Sequence, residues 1–211
     1  MAASRSLDPR IPDEYAVSVG RIKGAAFREF LVWYEIRFRG PTLARAIDAI
    51  PRRFRARLDL DASAFGVQRS AWYPATLVHA LVDGLLADLS PEERSEVARE
   101  SDQFITEQTI CGSLRTLFEL IATPERCARH AQRMWRACYE TGTSTVTRIS
   151  PTCHERRVQG WAEHHPFICN MHAAAAVVLY RAMGCSSPRV ERTACISDGM
   201  TECTSRITWL P

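Results

Sequence analysis

The feature that most restricts how this 211-residue chain can fold lies near its end, in Cys195-Ile-Ser-Asp-Gly199-Met-Thr-Glu-Cys203. Asp198-Gly199 is a tight-turn signal between two β-rich runs, so the segment predicts a hairpin with Cys195 and Cys203 across from each other. Two thiols held that way form half of a metal site. Cys169, twenty-six positions before Cys195, lies in an apolar run that reads as a helix, and a helix folded back on the hairpin supplies a third sulfur.

Composition narrows the classes. A chain of 23.8 kDa with 46% hydrophobic residues can bury a core of its own. The net charge is +3, yet 26 of the 27 basic residues are arginine and only Lys23 is lysine. With abundant alanine, that bias points to a GC-rich coding sequence. No block of like charge or basic stripe with interleaved aromatics stands out, so no nucleic-acid partner is expected. The longest apolar run, around Ala173 to Tyr180, is about half of the roughly 18 residues needed to span a bilayer, so no membrane partner is expected either. The start is polar, without the hydrophobic stretch of a secretory signal, and a cytoplasmic location is expected. Thiols stay reduced there, so the eight cysteines favour buried hydrophobes plus a metal site over a disulfide framework.

Patterning predicts an α+β chain: a flexible arm over 1–20, then a single ligand-binding-type domain over 21–211. In its helical part, 21–141, Ala26, Phe30, Trp33, Tyr34 and Phe38 recur at helical spacing up to Gly40-Pro41. A short helix follows with Leu43, Ile47 and Ile50, and Trp72-Tyr73-Pro74 opens another with Leu77, Val78, Leu81, Val82 and Leu85 on one face. Ser90-Pro91-Glu92-Glu93 is the clearest helix start in the chain, a serine cap with proline at the first position and a capping-box glutamate. That helix runs past Phe104 and Ile105, bends near Gly112 and reaches Leu117, Phe118 and Ile121. Thr123-Pro124 caps the next, whose stripe of Cys127, Ala131, Met134, Trp135 and Cys138 reads as core. The part 142–211 reads β-β-α-β-β, an antiparallel four-stranded sheet with a helix packed on one face. Its strands are Thr143–Ile149, His154–Trp161, Arg189–Ile196 and Glu202–Trp209, and its helix is Phe167–Met183, stopped by Gly184.

The C-x(3)-G-x(3)-C hairpin of Cys195, Gly199 and Cys203, followed by a strand ending in Trp209, resembles the end of 4-vinyl-reductase-type domains. From about Arg21 to Trp209 the chain also resembles a paralogous myxobacterial family of roughly 200-residue proteins of unknown function. The Trp72-Tyr73-Pro74 segment and the helix cysteine, Cys169, belong to that likeness. The superfamily includes phenol-sensor domains, heme-based nitric-oxide sensors and acyl-chain-holding tethering subunits. The resemblance implies an α+β ligand-binding fold, an apolar pocket and a homodimer. In the phenol-sensor branch zinc is held by a helix cysteine, a strand glutamate and two hairpin cysteines, and by resemblance those cysteines fall on Cys169, Cys195 and Cys203. The glutamate does not transfer: Arg192 stands in its place. Glu191 sits one position earlier, on the opposite face of a strand. His172, one helical turn after Cys169, is the second candidate for the fourth ligand.

Three thiolates and one further donor would close a tetrahedral zinc site and leave no position for catalysis. Buried unliganded thiols, or a disulfide between Cys195 and Cys203, are the alternatives. Cys153-His154 and His164-His165 read as solvated turn residues, His79 and His130 as isolated helix residues, and Cys111, Cys127, Cys138 and Cys185 as hydrophobes or surface thiols. There is no nucleophile elbow, phosphate-binding glycine loop or His-Glu-x-x-His motif, so enzyme activity is the weaker expectation. The reading is a small-molecule-binding sensor or regulatory module with a structural zinc ion. Its ligand is an apolar or aromatic molecule; aromatics such as Trp33, Tyr34 and Trp72 either line a cavity between layers or simply form the core. The chain stops two residues after Trp209, so signalling would pass through a dimer or a partner protein. The rival readings are an enzyme accessory or reductase-like protein acting on a tetrapyrrole or other large apolar substrate, and a dimeric scaffold without ligand.

Overall fold

A computed structural model describes the backbone of residues 20–111 and 123–211, and the side chains of 20–106 and 123–211. The expected arm up to residue 19 and the expected bend at Gly112 with Leu117, Phe118 and Ile121 lie outside the described residues. The chain is α+β, and its described residues divide into two compact units, one within 1–94 with 138–140 and one within 95–137 with 141–211.

In the first unit a short strand, β1 (Arg21–Lys23), runs into α1 (Gly24–Arg37), followed by α2 (Pro41–Ala49) and α3 (Arg52–Arg55). A second short strand, β2 (Trp72–Pro74), leads into α4 (Ala75–Leu85) and then α5 (Pro91–Cys111), which continues into the second unit. The Trp72-Tyr73-Pro74 segment therefore does not open the helix. It pairs antiparallel with β1, Ile22 opposite Tyr73, and the helix starts at Ala75. The residue before a proline is driven out of the helical region, which makes Tyr73 extended. Gly24 shows how close this junction is: a Cβ there would meet the Gln68 carbonyl oxygen at 2.0 Å. Phe30, Trp33 and Tyr34 are buried against one another, and the Tyr34 hydroxyl donates to the Leu85 carbonyl at 2.5 Å, joining α1 to the end of α4. The capping box forms as read: Ser90 Oγ accepts from Glu93 N at 3.2 Å, and Glu93 Oε2 accepts from Ser90 N at 2.7 Å. None of the described helices is long and apolar enough to cross a membrane.

The second unit carries α6 (Pro124–Cys138), β3 (Thr143–Ser150), β4 (Cys153–Gln159), α7 (Pro166–Ala182), β5 (Ser186–Ala194) and β6 (Glu202–Leu210). The four strands form one antiparallel sheet in the order β3-β4-β6-β5. Alternation along β4 and β6 sends His154, Arg156 and Val158, and Cys203, Ser205 and Ile207, to one face. α7 packs on the sheet at β5 and β6, and Tyr180 of α7, Cys185 and Ile207 share a core cluster. His154 is fully buried with Nδ1 2.7 Å from the Tyr180 hydroxyl, and burial lowers its pKa, so the ring is neutral at pH 7. On α6 the expected stripe is largely interior, with Cys127, Ala131 and Trp135 buried.

Asp102 on α5 is 4% exposed beside buried Ser101, and Thr106 Oγ1 lies 3.4 Å from its Oδ2. Burial pushes its pKa up to about 8, against the smaller opposite effect of that hydrogen bond. A carboxyl that binds its proton more tightly when folded contributes stability that is full below pH ~4 and is lost as pH rises through about 8. Asp102→Asn is therefore expected to melt at least 2–4 °C above the parent at pH 9, roughly 1 kcal/mol, and to lose that advantage at pH 4. Thermal melts at the two pH values check this; an equal difference at both would contradict it.

Candidate metal centre

The hairpin predicted at Asp198-Gly199 forms between β5 and β6, with a single 3-10 turn at Ile196–Asp198 and Gly199 in the left-handed region at φ 83°. Only a residue without a Cβ takes that conformation freely. The Cys195 carbonyl accepts from Asp198 N at 3.0 Å and Met200 N at 3.2 Å, so the loop folds tightly over the first cysteine. Cys203 enters β6 opposite Val158, its side chain on the sheet face that α7 covers. Cys169 sits in the first turn of α7, which His165 caps by accepting from Phe167 N at 3.3 Å.

These three elements bring three buried sulfurs together. Cys169 and Cys203 Sγ are 3.7 Å apart, Cys195 and Cys169 3.8 Å, and Cys195 and Cys203 3.8 Å. The cysteines are free thiols, so the disulfide alternative is not what the fold holds. A tetrahedral ion with zinc–sulfur bonds of about 2.3 Å places its sulfurs about 3.8 Å apart. The sulfur triangle already has those edges.

The fourth corner is His164, a residue the sequence reading placed in a solvated turn. Its Nε2 lies 3.4 Å from Cys195 Sγ, and the four donor atoms all lie within 4.8 Å of one another. Zinc–nitrogen bonds of about 2.0–2.1 Å call for an N···S edge of about 3.6 Å, close to that separation. Neither expected fourth ligand joins this group. Glu191 points from the exposed face of β5, opposite Arg206; of the two register shifts in β5, one lies before it, between Ser186 and Arg189, and one after it, between Arg192 and Ala194, and neither turns it inward. His172 packs 5.5 Å from the Trp135 ring and 5.6 Å from that of Trp161. Burial, with the Arg156 charge adding to it, holds its pKa well below the ordinary imidazole range. Arg192, where the phenol-sensor pattern has its glutamate, donates to Asn170 Oδ1 at 2.8 Å and lies 3.8 Å from Asp198. It ties β5 to α7 instead of reaching inward.

The loop carrying His164 is held by its neighbour. Glu163 is fully buried, and its two oxygens accept from Thr141 N, at 2.8 Å, and from the Thr141 hydroxyl. Thr141 Oγ1 in turn accepts from Ala162 N at 2.9 Å, and the Thr141 carbonyl accepts from Trp135 Nε1 at 2.7 Å. His164 stacks edge-on against Trp161 at 5.0 Å. Nothing in residue spacing marks Thr141 and Glu163, because the pairing is made by the β4–α7 loop closing on the segment before β3.

Within the cluster, Cys203 carries the favoured thiolate. The Cys169 thiol donates to it, and His164 and Ile196 N, 3.5 Å away, add to the stabilisation, so its pKa is lowered against the cost of burial. Cys169 shifts upward for the complementary reason: its proton is the one shared with Cys203, and burial opposes a second charge. The donor chemistry fits zinc: three soft sulfurs and an imidazole at tetrahedral spacing, with an N–H donor on one sulfur and the Ser197 hydroxyl 3.0 Å from another.

No family model and no curated protein matches the sequence. Solved structures do match. An Fe(II) unliganded H-NOX protein from K. algicida superposes with a TM-score of 0.64 at 16% identity, covering 90% of this chain and 97% of that one. An H-NOX protein from S. oneidensis in the Fe(II)NO ligation state gives 0.62 at 10% identity, covering 90% and 99%. A third, from work on heme distortion in the H-NOX family, gives 0.56 at 7% identity, covering 90% and 95%. At these identities the likeness establishes the fold. Heme needs an axial donor in the wall of a closed apolar slot. Of the six histidines, all among the described residues, His154, His164, His165 and His172 are engaged as described above. His79 lines an open groove shared with Arg53 and Asp83, and His130 is half-buried on α6. These histidines do not fit the axial position of a heme.

Thr141→Val removes a hydroxyl that a buried carboxylate uses and should cost about 1–3 kcal/mol. It should also speed metal loss to a chelator, although Thr141 is no ligand. Thr141→Ser keeps the hydroxyl and should restore both. Melting temperature and chelator-driven metal release check this; a valine variant that matches the parent in both would contradict the positioning role.

Proposed function

We propose that this chain is a small-molecule-binding regulatory module whose last hairpin is fastened to the preceding helix by a structural zinc ion on Cys169, Cys195, Cys203 and His164. The observation that carries the reading is the sulfur triangle with His164 at its fourth corner. Four protein donors close the coordination shell and leave no position for a substrate, so the ion would supply folding energy and rigidity. Kinship with the 4-vinyl-reductase-type and phenol-sensor domains, and with the myxobacterial family, is part of this proposal. It is supported by the Cys195, Gly199 and Cys203 hairpin, with His164 standing in for the branch's glutamate.

The compared H-NOX structures are named for iron ligation states, including a nitric oxide complex. With no histidine placed for a heme, this chain uses the fold for an apolar or aromatic molecule. A ligand shifts such a module by binding one packing of its elements more tightly than another, with a homodimer or a partner protein reading the change.

Protein purified without chelator is expected to hold one zinc per chain by elemental analysis. Cys203→Ser should lose the ion and melt about 5–15 °C lower, the scale of a few kcal/mol in a chain of this size. Parent protein free of zinc, or a serine variant that keeps both the ion and the melting temperature, would overturn the reading.

A further inference from the structure

One short block of like charge, Arg52-Arg53-Phe54-Arg55-Ala56-Arg57, follows α2. The fold treats its members differently. Phe54 is buried, Arg55 is paired with Asp48, and Arg57 Nε donates to the Arg53 carbonyl at 3.1 Å. Among the described residues Arg53 has no carboxylate partner, and its guanidinium lies 4.8 Å over the Phe54 ring. It stands at the rim of a groove of about 450 Å³ between α3 and α4, wholly within the first unit.

The groove is built by the second face of α4. Leu77, Val78, Leu81, Val82 and Leu85 turn to the core, whereas Thr76, His79, Ala80 and Asp83 line the groove at the complementary helical positions. Gly84 lets α4 approach Ile50 so closely that a Cβ would sit 2.6 Å from Ile50 Cγ1, and Ala80 leaves the space beside it open. The result combines an apolar floor at Phe54 and Ala80 with the Arg53 guanidinium and the His79 imidazole, within the size range of small-molecule sites.

We propose that this groove seats a small monocarboxylate with an apolar body, its carboxylate on Arg53 beside His79 and its hydrocarbon part on Phe54 and Ala80. An unpaired arginine fixed on an aromatic ring keeps its fork of donors ordered for a planar carboxylate. The one acidic wall residue, Asp83, works against a second negative charge in the ligand. This inference names the ligand class for the regulatory reading above and rests on it, but not on the zinc ion.

The test is titration of the full chain with octanoate and, in parallel, 1-octanol, read by calorimetry and by amide chemical-shift changes. Octanoate should bind with shifts confined to α3 and α4, and 1-octanol at least tenfold more weakly. Arg53→Gln should weaken octanoate about tenfold, the loss of one charged contact. Thr76→Trp, an exposed position whose larger side chain would fill the groove, should abolish binding with the melting temperature unchanged. Absence of octanoate binding, equal binding of the alcohol, or binding untouched by both substitutions would overturn the groove. Shifts mapped elsewhere on the chain would overturn the groove while leaving the small-molecule reading standing, and zinc content measured on the same samples reports the metal reading separately.

Discussion

Three sulfurs 3.7–3.8 Å apart, with an imidazole nitrogen 3.4 Å from one of them, are the contact on which the order of the second unit turns. Buried thiols interact weakly with one another and gain little from mutual approach. Their convergence draws in a hairpin loop, the first turn of α7 and the β4–α7 loop, segments separated by up to 39 positions in sequence between His164 and Cys203. A divalent ion bound there would turn this weak meeting point into a cross-link, because each of four bonds to it would replace a contact of little energy.

The surroundings are arranged for such a centre. The Thr141–Glu163 clamp sets the loop that presents His164, and Arg192 fastens β5 to Asn170 on α7 outside the cluster. Deeper in the same layer, Trp135, Trp161 and His172 fill the space between α6, α7 and the sheet. The Arg156 guanidinium lies 5.5 Å over the Trp135 ring. A neutral His172 among these rings is packing, which is why its helical register with Cys169 does not make it a ligand.

Local chemistry made some of this legible in advance. Ser90-Pro91-Glu92-Glu93 could be read as a helix start because a capping box needs only neighbours in sequence. Asp198-Gly199 could be read as a turn because few residue pairs tolerate that backbone, and the two flanking cysteines follow from strand pairing. The strand alternation that put Glu191 on the wrong face also held. What stayed hidden depends on contacts between distant segments. His164 looks like a loop residue until Glu163 is seen to bind Thr141, twenty-two positions away. Trp72-Tyr73-Pro74 looks like a helix start until Ile22 is seen to pair with Tyr73. The Arg52–Arg57 run was masked by overall composition, in which arginine is common, and only the fold separates its paired members from Arg53.

X-ray absorption at the zinc edge tests the central claim most directly, since it reports both the presence of the ion and the identity of its donors. The account predicts three sulfur scatterers at about 2.3 Å and one imidazole nitrogen at about 2.0–2.1 Å. It also predicts that His164→Ala alters the nitrogen shell while His172→Ala does not. A spectrum without zinc, or one whose nitrogen shell survives loss of His164, would contradict it.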